Sequence, residues 1–292
     1  MVKLNLVDQV ARHTPLQGFN ETSIPGLRLY RREEPTAEPL PIVYQPSVCV
    51  IVQGTKTLQF GDEAIPYGPR HFLVSALTLP TYAHIPKASS EEPFLGFVIE
   101  FEPVQVGTLL AEVDDLIEWP QAPESRAISA CPTGETLHRA MERLVGCLDD
   151  PIDRQVLAEG VIREILYEVL RGPRGYVLRQ HALRGGKEHQ VARALAYVKQ
   201  NFRQTLDVQT LAQQAAMSPS ALHQHFKRLT ALSPMQYVQQ LRLHQAKALL
   251  LSGHAATEAG YEVGYNSPSQ FSREFRRLFG VPPSQVRDSD AW

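Results

Sequence analysis

Two stretches of the chain, 208–230 and 256–279, are built on one plan. Val208, Leu211, Ala212 and Ala215 stand at spacings of three, four and seven, and 48 residues later Ala256, Ala259, Gly260 and Val263 repeat those spacings. Such a stripe is the buried face of a helix. A turn follows each, then Ser-Pro-Ser: Ser218-Pro219-Ser220 in the first copy and, 49 residues on, Ser267-Pro268-Ser269 in the second. Serine caps an orphan N–H and the fixed φ of proline suits the first helical position, so each tripeptide predicts a new helix. The inward residues of those helices also correspond, Leu222, Phe226 and Leu229 matching Phe271, Phe275 and Leu278. A duplicated pair of short capped helices predicts two helix-turn-helix units in tandem.

The outward faces carry the chemistry. Ser220, His223, Gln224, Lys227 and Arg228 line the first exposed helix, and Ser269, Gln270, Ser272, Arg273, Arg276 and Arg277 line the second. Helices so rich in hydrogen-bond donors suit major-groove reading. Between the copies, 234–251 reads as one helix with Val238, Leu241, Ala246, Leu249 and Leu250 available for burial. At 1.5 Å per residue it spans about 27 Å, enough to set two recognition helices near the ~34 Å between successive major-groove faces. A helix over 189–202, with Val191, Leu195, Val198 and Phe202 on one stripe, opens this all-α module.

Charge divides the chain in the same place. Residues 185–292 hold 12 Lys and Arg against 7 Asp and Glu, whereas the first 184 hold 17 against 24. A basic module that faces nucleic acid and an acidic module that avoids it would differ in this way. His223 and His225 do not make a metal site, because positions two apart on a helix point about 200° from one another. No carboxylate or nucleophile lies near them on that helix, which removes a catalytic reading as well.

The run "LAQQAAMSPSALHQHFKRLTALSPMQYVQQLRLHQAKALLL", with "EVGYNSPSQFSREFRRLFGVPPSQVR" after it, resembles the AraC-type transcriptional regulators over roughly 189–287. Gly264-Tyr265, Phe271, Phe275, Gly280 and Pro283 carry the signature. The resemblance implies two recognition helices in adjacent major grooves, with Ser220, His223 and Gln224 on the first and Gln270, Ser272 and Arg273 on the second. Two departures stand out. Ala231 occupies a position that is generally glycine in the family, and Ala256, Ala259 and Gly260 make a smaller stripe than the family's isoleucine-rich one. The second unit should have the lighter core and the more easily lost DNA contact.

A length of 292 residues predicts two domains. No run of about 18 apolar residues could span a bilayer, and the N-terminus has no uninterrupted apolar segment ahead of a cleavage site. The expected location is a bacterial cytoplasm, away from membranes. Cys49, Cys131 and Cys147 cannot all pair with one another and are spaced too widely for a zinc knuckle, which suits a reducing compartment.

Residues 42–102 read as short strands separated by Gly54, Gly61-Asp62 and Gly68-Pro69, the pattern of a small all-β barrel or sandwich. The runs "QPSVCVIVQGTK" and "YGPRHFLVSALTLP" resemble the cupin-like N-terminal domain of one subgroup of AraC-type regulators. Cupin metal sites need a His-x-His pair, a carboxylate and a further histidine, and this region offers only His71 and His84, 13 residues apart. A metal-free, cofactor-free barrel holding a small ligand is therefore expected, with Tyr30, Tyr44, Cys49, His71, Tyr82 and His84 as candidate lining. Cys49, inside an apolar run, reads as a small buried hydrophobe, and as an electrophile-reporting thiol only if its pKa were lowered.

From 133 to 170 two helices are expected, broken at Asp149-Asp150-Pro151. Val156, Leu157, Val161, Ile165, Tyr167 and Leu170 give the second a broad apolar face that wants the barrel or a second subunit as partner. "LRQHALRGGKE" reads as an interdomain linker. The expected organisation is an α+β multidomain chain: a cupin-like sensor at 1–125, a helical connector that can dimerise at 126–185, and a double helix-turn-helix domain at 186–292. Its expected role is transcription regulation, with operator DNA, a small-molecule effector and RNA polymerase as partners and no catalytic residues. The alternatives are a cupin metalloenzyme tethered to DNA and an architectural DNA protein that needs no ligand.

Overall fold

The computed structural model describes residues 5–113, 116–119, 126–182 and 186–286. Among these residues, ten strands form two antiparallel sheets. In chain order they are β1 (Gly18–Glu21), β2 (Leu27–Arg32), β3 (Leu40–Tyr44), β4 (Ser47–Gln53), β5 (Lys56–Phe60), β6 (Glu63–Tyr67), β7 (His71–Ser75), β8 (Leu79–His84), β9 (Phe94–Glu100) and β10 (Ile128–Pro132). One sheet has the order β1-β2-β9-β4-β7-β10, the other β3-β8-β5-β6. Residues 126–132, read from sequence as the start of the connector, instead add an edge strand, Ile128 to Pro132 pairing with Ser75 to His71.

Strand β4 shows why the sheets stack as they do. Its residues from Ser47 to Val52 are all buried, so both of its faces are covered. Val48, Val50 and Val52 face a helical layer, while Cys49 and Ile51 face the second sheet. That layer is made of α1 (Leu6–Arg12), α2 (Pro103–Val113), α3 (Glu135–Gly146), α4 (Pro151–Arg171) and α5 (Tyr176–Ala182). Asp150 caps α4, its Oδ1 accepting from the N–H of Ile152 at 2.6 Å, with Pro151 at the first helical position.

Two expectations for the connector need correction. The inward face of α4 is Ala158, Ile162, Ile165, Leu166, Val169 and Leu170, while Ile152, Val156 and Leu157 stay exposed on its first turns. The supposed linker, 178–188, begins inside helix α5, whose Val177 and Leu178 are buried; its residues 183–185 lie outside the described residues. Arg179 ties α5 down by donating to the Leu170 carbonyl at 2.8 Å and stacking 4.3 Å from the Trp119 ring. A fixed neighbour, and not local periodicity, orders this segment.

The C-terminal module is all helix: α6 (Lys187–Asn201), α7 (Val208–Ala215), α8 (Pro219–Thr230), α9 (Pro234–Leu251), α10 (Ala256–Glu262) and α11 (Pro268–Phe279). The 18-residue α9 joins the two units, and a capping box between Ser233 and Gln236 starts it. No helix of the described residues is long and apolar enough to cross a membrane.

Candidate functional site

The two helix-turn-helix units repeat at the level of single backbone bonds. In the first, the Met217 N–H donates to the Ala212 carbonyl at 3.0 Å; in the second, Tyr265 donates to Gly260, also at 3.0 Å. Each turn passes through the left-handed region once, at Ala216 (φ 51°) and at Gly264 (φ 93°). Ser218 Oγ and Ser267 Oγ then accept from the third residue of the next helix, both at 3.3 Å, with proline at the first position. Leu222, Phe226 and Leu229 anchor α8 inward, and Phe271 and Phe275 anchor α11.

Opposite those anchors, Ser220, His223, Gln224 and Lys227 are exposed on α8, and Ser269, Gln270, Ser272, Arg273 and Arg276 on α11. Arg228 is placed differently. It is partly buried, and its Nη2 lies 2.9 Å from Glu188 Oε1 on α6, an ion pair that joins the opening helix to the first recognition helix. Glu274 is a residue that sequence patterning did not single out. It accepts from Gln270 Nε2 at 3.1 Å and from the Tyr265 hydroxyl at 2.8 Å. Partial burial pushes its carboxyl up, but hydrogen bonds from Gln239, Gln270 and Tyr265 and the nearby Arg277 outweigh that and hold it below the usual range. A carboxylate four residues after Gln270 was the available signal.

The second candidate site is a cavity of about 100 Å³ between the sheets. Tyr30, Tyr44 and Cys49 line it, with Phe19, Phe94, Phe97 and Lys56 among the others. The hydroxyls of Tyr44 and Tyr67 meet at 3.1 Å inside it. Three candidates lie elsewhere. His71 is exposed at the start of β7. Tyr82 and His84 face outward on β8 together with Gln59 and Thr57, their partners in register on β5. His84 Nδ1 is 2.7 Å from Thr36 Oγ1, and Arg277 of α11 lies near the Tyr82 hydroxyl. Strand alternation accounts for both placements: Leu58 and Ala83 point in, so their neighbours point out. Among the described residues, no three His, Cys, Asp or Glu side chains are grouped as metal ligands would be. All three cysteines are free and buried, and burial pushes the Cys49 thiol up, so it stays protonated at neutral pH.

The sheets and the first unit share one core, which runs from Leu58 and Leu79 through Phe226 to Tyr237. The Tyr237 hydroxyl donates to the Thr78 carbonyl at 2.9 Å, and the Ala127 N–H donates to the Leu229 carbonyl at 3.3 Å. Beside this joint opens a cleft of about 1180 Å³, lined by Gln45, Glu100 and Glu102 on one side and by Arg193, Lys199 and His189 of α6 on the other.

The family model for the AraC-type transcriptional regulator N-terminus matches residues 23–177, and a helix-turn-helix domain model matches 211–289. The HTH-type transcriptional activators RhaS of Salmonella schwarzengrund and Salmonella agona are each 30% identical over 185 residues, 61% of this chain. That match spans 63% of those relatives' own length. Among solved structures, ToxT from Vibrio cholerae has a TM-score of 0.63 at 13% identity, over 89% of this chain and 96% of that one. Wild-type ToxT with an unsaturated fatty acid bound gives 0.59 at 11% identity, over 91% and 96%. At these identities the likeness to ToxT is one of fold. The N-terminal family model covers more than half of the chain, which therefore belongs to the AraC-type transcriptional regulators.

Proposed function

We propose that the chain is a one-component regulator that reads operator DNA with α8 and α11 and holds a small effector between its sheets. The observation that carries this is the duplicated unit itself, with matching turn bonds, matching serine caps and donor-rich exposed faces. Arg273 is assigned to base reading, because an exposed arginine can bond guanine O6 and N7 together. Lys227 and Arg276 are assigned to phosphates, and Arg228, already paired with Glu188, to holding α8 in place. The sensor does no chemical turnover, acts in the cytoplasm and signals to RNA polymerase; the likeness to RhaS, a transcriptional activator, supports this role. The exposed Ile152, Val156 and Leu157 on α4 are the face on which a second copy would pair.

The test is binding of the full chain to promoter fragments over a range of salt concentrations. Affinity should fall steeply as salt rises, because phosphate contacts release counterions. Arg273→Ala should relax selection at one base position, worth about 1–3 kcal/mol, while Lys227→Ala weakens all sequences alike. An unchanged motif recovered from random DNA by Arg273→Ala would remove its role as a base reader.

A further inference from the structure

Lys56, in the lining of the cavity between the sheets, has no part in DNA reading. Strand β5 points Lys56, Leu58 and Phe60 to one side, and Leu58 and Phe60 are buried there. Lys56 thus occupies an inward position on a strand, where an ammonium is costly. Its Nζ lies 5.4 Å from the centre of the Tyr44 ring, within the cavity lining. Directly across on β6, in register with it, stands Tyr67, whose hydroxyl meets that of Tyr44. Cys49 lines the same space with its Sγ 3.6 Å from Ser47 Oγ. Arg28 and Glu100, the other charged lining residues, form an ion pair with one another.

Burial pushes the Tyr44 and Tyr67 hydroxyls and the Cys49 thiol up, so these three groups of the lining are neutral at physiological pH. Burial also lowers Lys56 to about 8 from 10.5. Its unprotonated fraction near pH 7 is then on the order of a hundredfold above that of an exposed lysine. An amine with an enlarged unprotonated fraction, lining a cavity next to a hydroxyl pair that can hold a carbonyl oxygen, is equipped for one reaction that an ordinary binding pocket lacks.

We propose that the cavity takes a small carbonyl compound, a short aldehyde, and holds it as an imine on Lys56 Nζ. The amine lone pair adds to the carbonyl carbon to give a carbinolamine. Its oxygen then leaves as water with both amine protons accounted for, one to the oxygen on addition and one on elimination, and a C=N bond replaces C=O without change of oxidation state. The Tyr44–Tyr67 pair hydrogen-bonds the departing oxygen, and the Phe19 and Phe94 rings limit the access of the water that would hydrolyse the product. A space of about 100 Å³ suits a molecule of roughly 5–10 heavy atoms. This inference rests on the cavity being the effector site.

The experiment is reductive trapping. The full chain, without DNA, is exposed briefly near neutral pH to butanal and cyanoborohydride, and adducts are mapped by peptide mass spectrometry. One reduced butyl group should form on Lys56 at least about tenfold faster than on the exposed Lys87 and Lys227. Tyr67→Phe should slow trapping at Lys56 several-fold and leave Lys87 and Lys227 unaffected; Lys56→Met should lose that adduct alone. Labelling of Lys56 no faster than Lys87, adduct formation on Cys49, or protection of Lys56 by butyrate without trapping by butanal would each overturn the proposal. The wild-type map decides the matter even where a variant folds poorly. Promoter binding of the same preparation is a separate measurement, so a failure to trap and a failure to bind DNA are distinguishable.

Discussion

The two helix-turn-helix units share a plan and differ in what holds them. The first is continuous with the sensor: Phe226, Leu229 and Tyr237 belong to the core that also contains Leu58, Leu79 and Ile128 of the sheets. The second stands on a small core of its own, Leu243, Ala246, Val263, Tyr265, Phe271 and Phe275. Their backbones differ in the opposite sense. At the two left-handed positions the first unit has Ala216 and Ala231, where the second has Gly264 and Gly280. Alanine is strained there by roughly 1 kcal/mol relative to glycine. Ala231 sits against the β5–β6 turn, where its methyl group is 3.1 Å from where a Cβ on Gly61 would stand, so the bare glycine leaves room for it. The first unit tolerates strain because the sensor grips it; the second is relaxed but thinly supported.

The small stripe of the second unit also has a positive use. A methyl group on Gly260 would stand 2.9 Å from the Phe271 ring, so the bare backbone of α10 lets the recognition helix approach closely. The matching residue of the first unit is Ala212, and in place of Phe271 that unit has the smaller Leu222.

Core truncation should separate the two units most strongly. Phe226→Ala and Phe275→Ala each remove a fully buried ring, at about 3–5 kcal/mol. Hydrogen exchange should show the loss at Phe226 spreading into β5 and β8, and the loss at Phe275 confined to α10, α11 and the second half of α9. Equal spreading from both would break the comparison. Next in size is Gly264→Ala, which combines the left-handed penalty with a contact 2.5 Å from the Arg203 carbonyl and should cost about 2 kcal/mol in the exchange of the second unit.

Acid should act on the second unit before the first. His244 packs its ring 5.2 Å from that of Phe279, and its Nε2 is buried. Burial, with Lys247 adding to it, lowers its pKa from 6.5 to about 3. The unfolded chain therefore takes up the proton first, so this contribution to stability is complete above pH 6.5 and is lost as pH falls toward 3. At pH 5.5 the loss is up to about 1.4 kcal/mol, and His244→Leu should remove it from the pH profile of α9–α11 exchange. The smallest effect expected is a gain. Ala216→Gly relieves the exposed left-handed turn of the first unit and should raise its stability by no more than about 1 kcal/mol, read from the thermal midpoint.

Whatever depends on neighbours within a turn or a strand was legible in the chain itself. The repeat, the serine caps, the span of α9 and the break before Pro151 follow from periodicity and capping chemistry, which act over three or four residues. The exposed faces of α8 and α11 follow from the same arithmetic. Only the tertiary structure decided which tyrosines meet in the cavity, that Lys56 points into it, that "VLRQHA" is a helix clamped by Arg179, and that the first unit shares the sensor's core while the second does not. Each of those depends on sheet register or on a partner far along the chain. A strand's alternation says that Tyr82 and Thr81 face opposite ways, but the closing of one sheet over another determines which of them is inside.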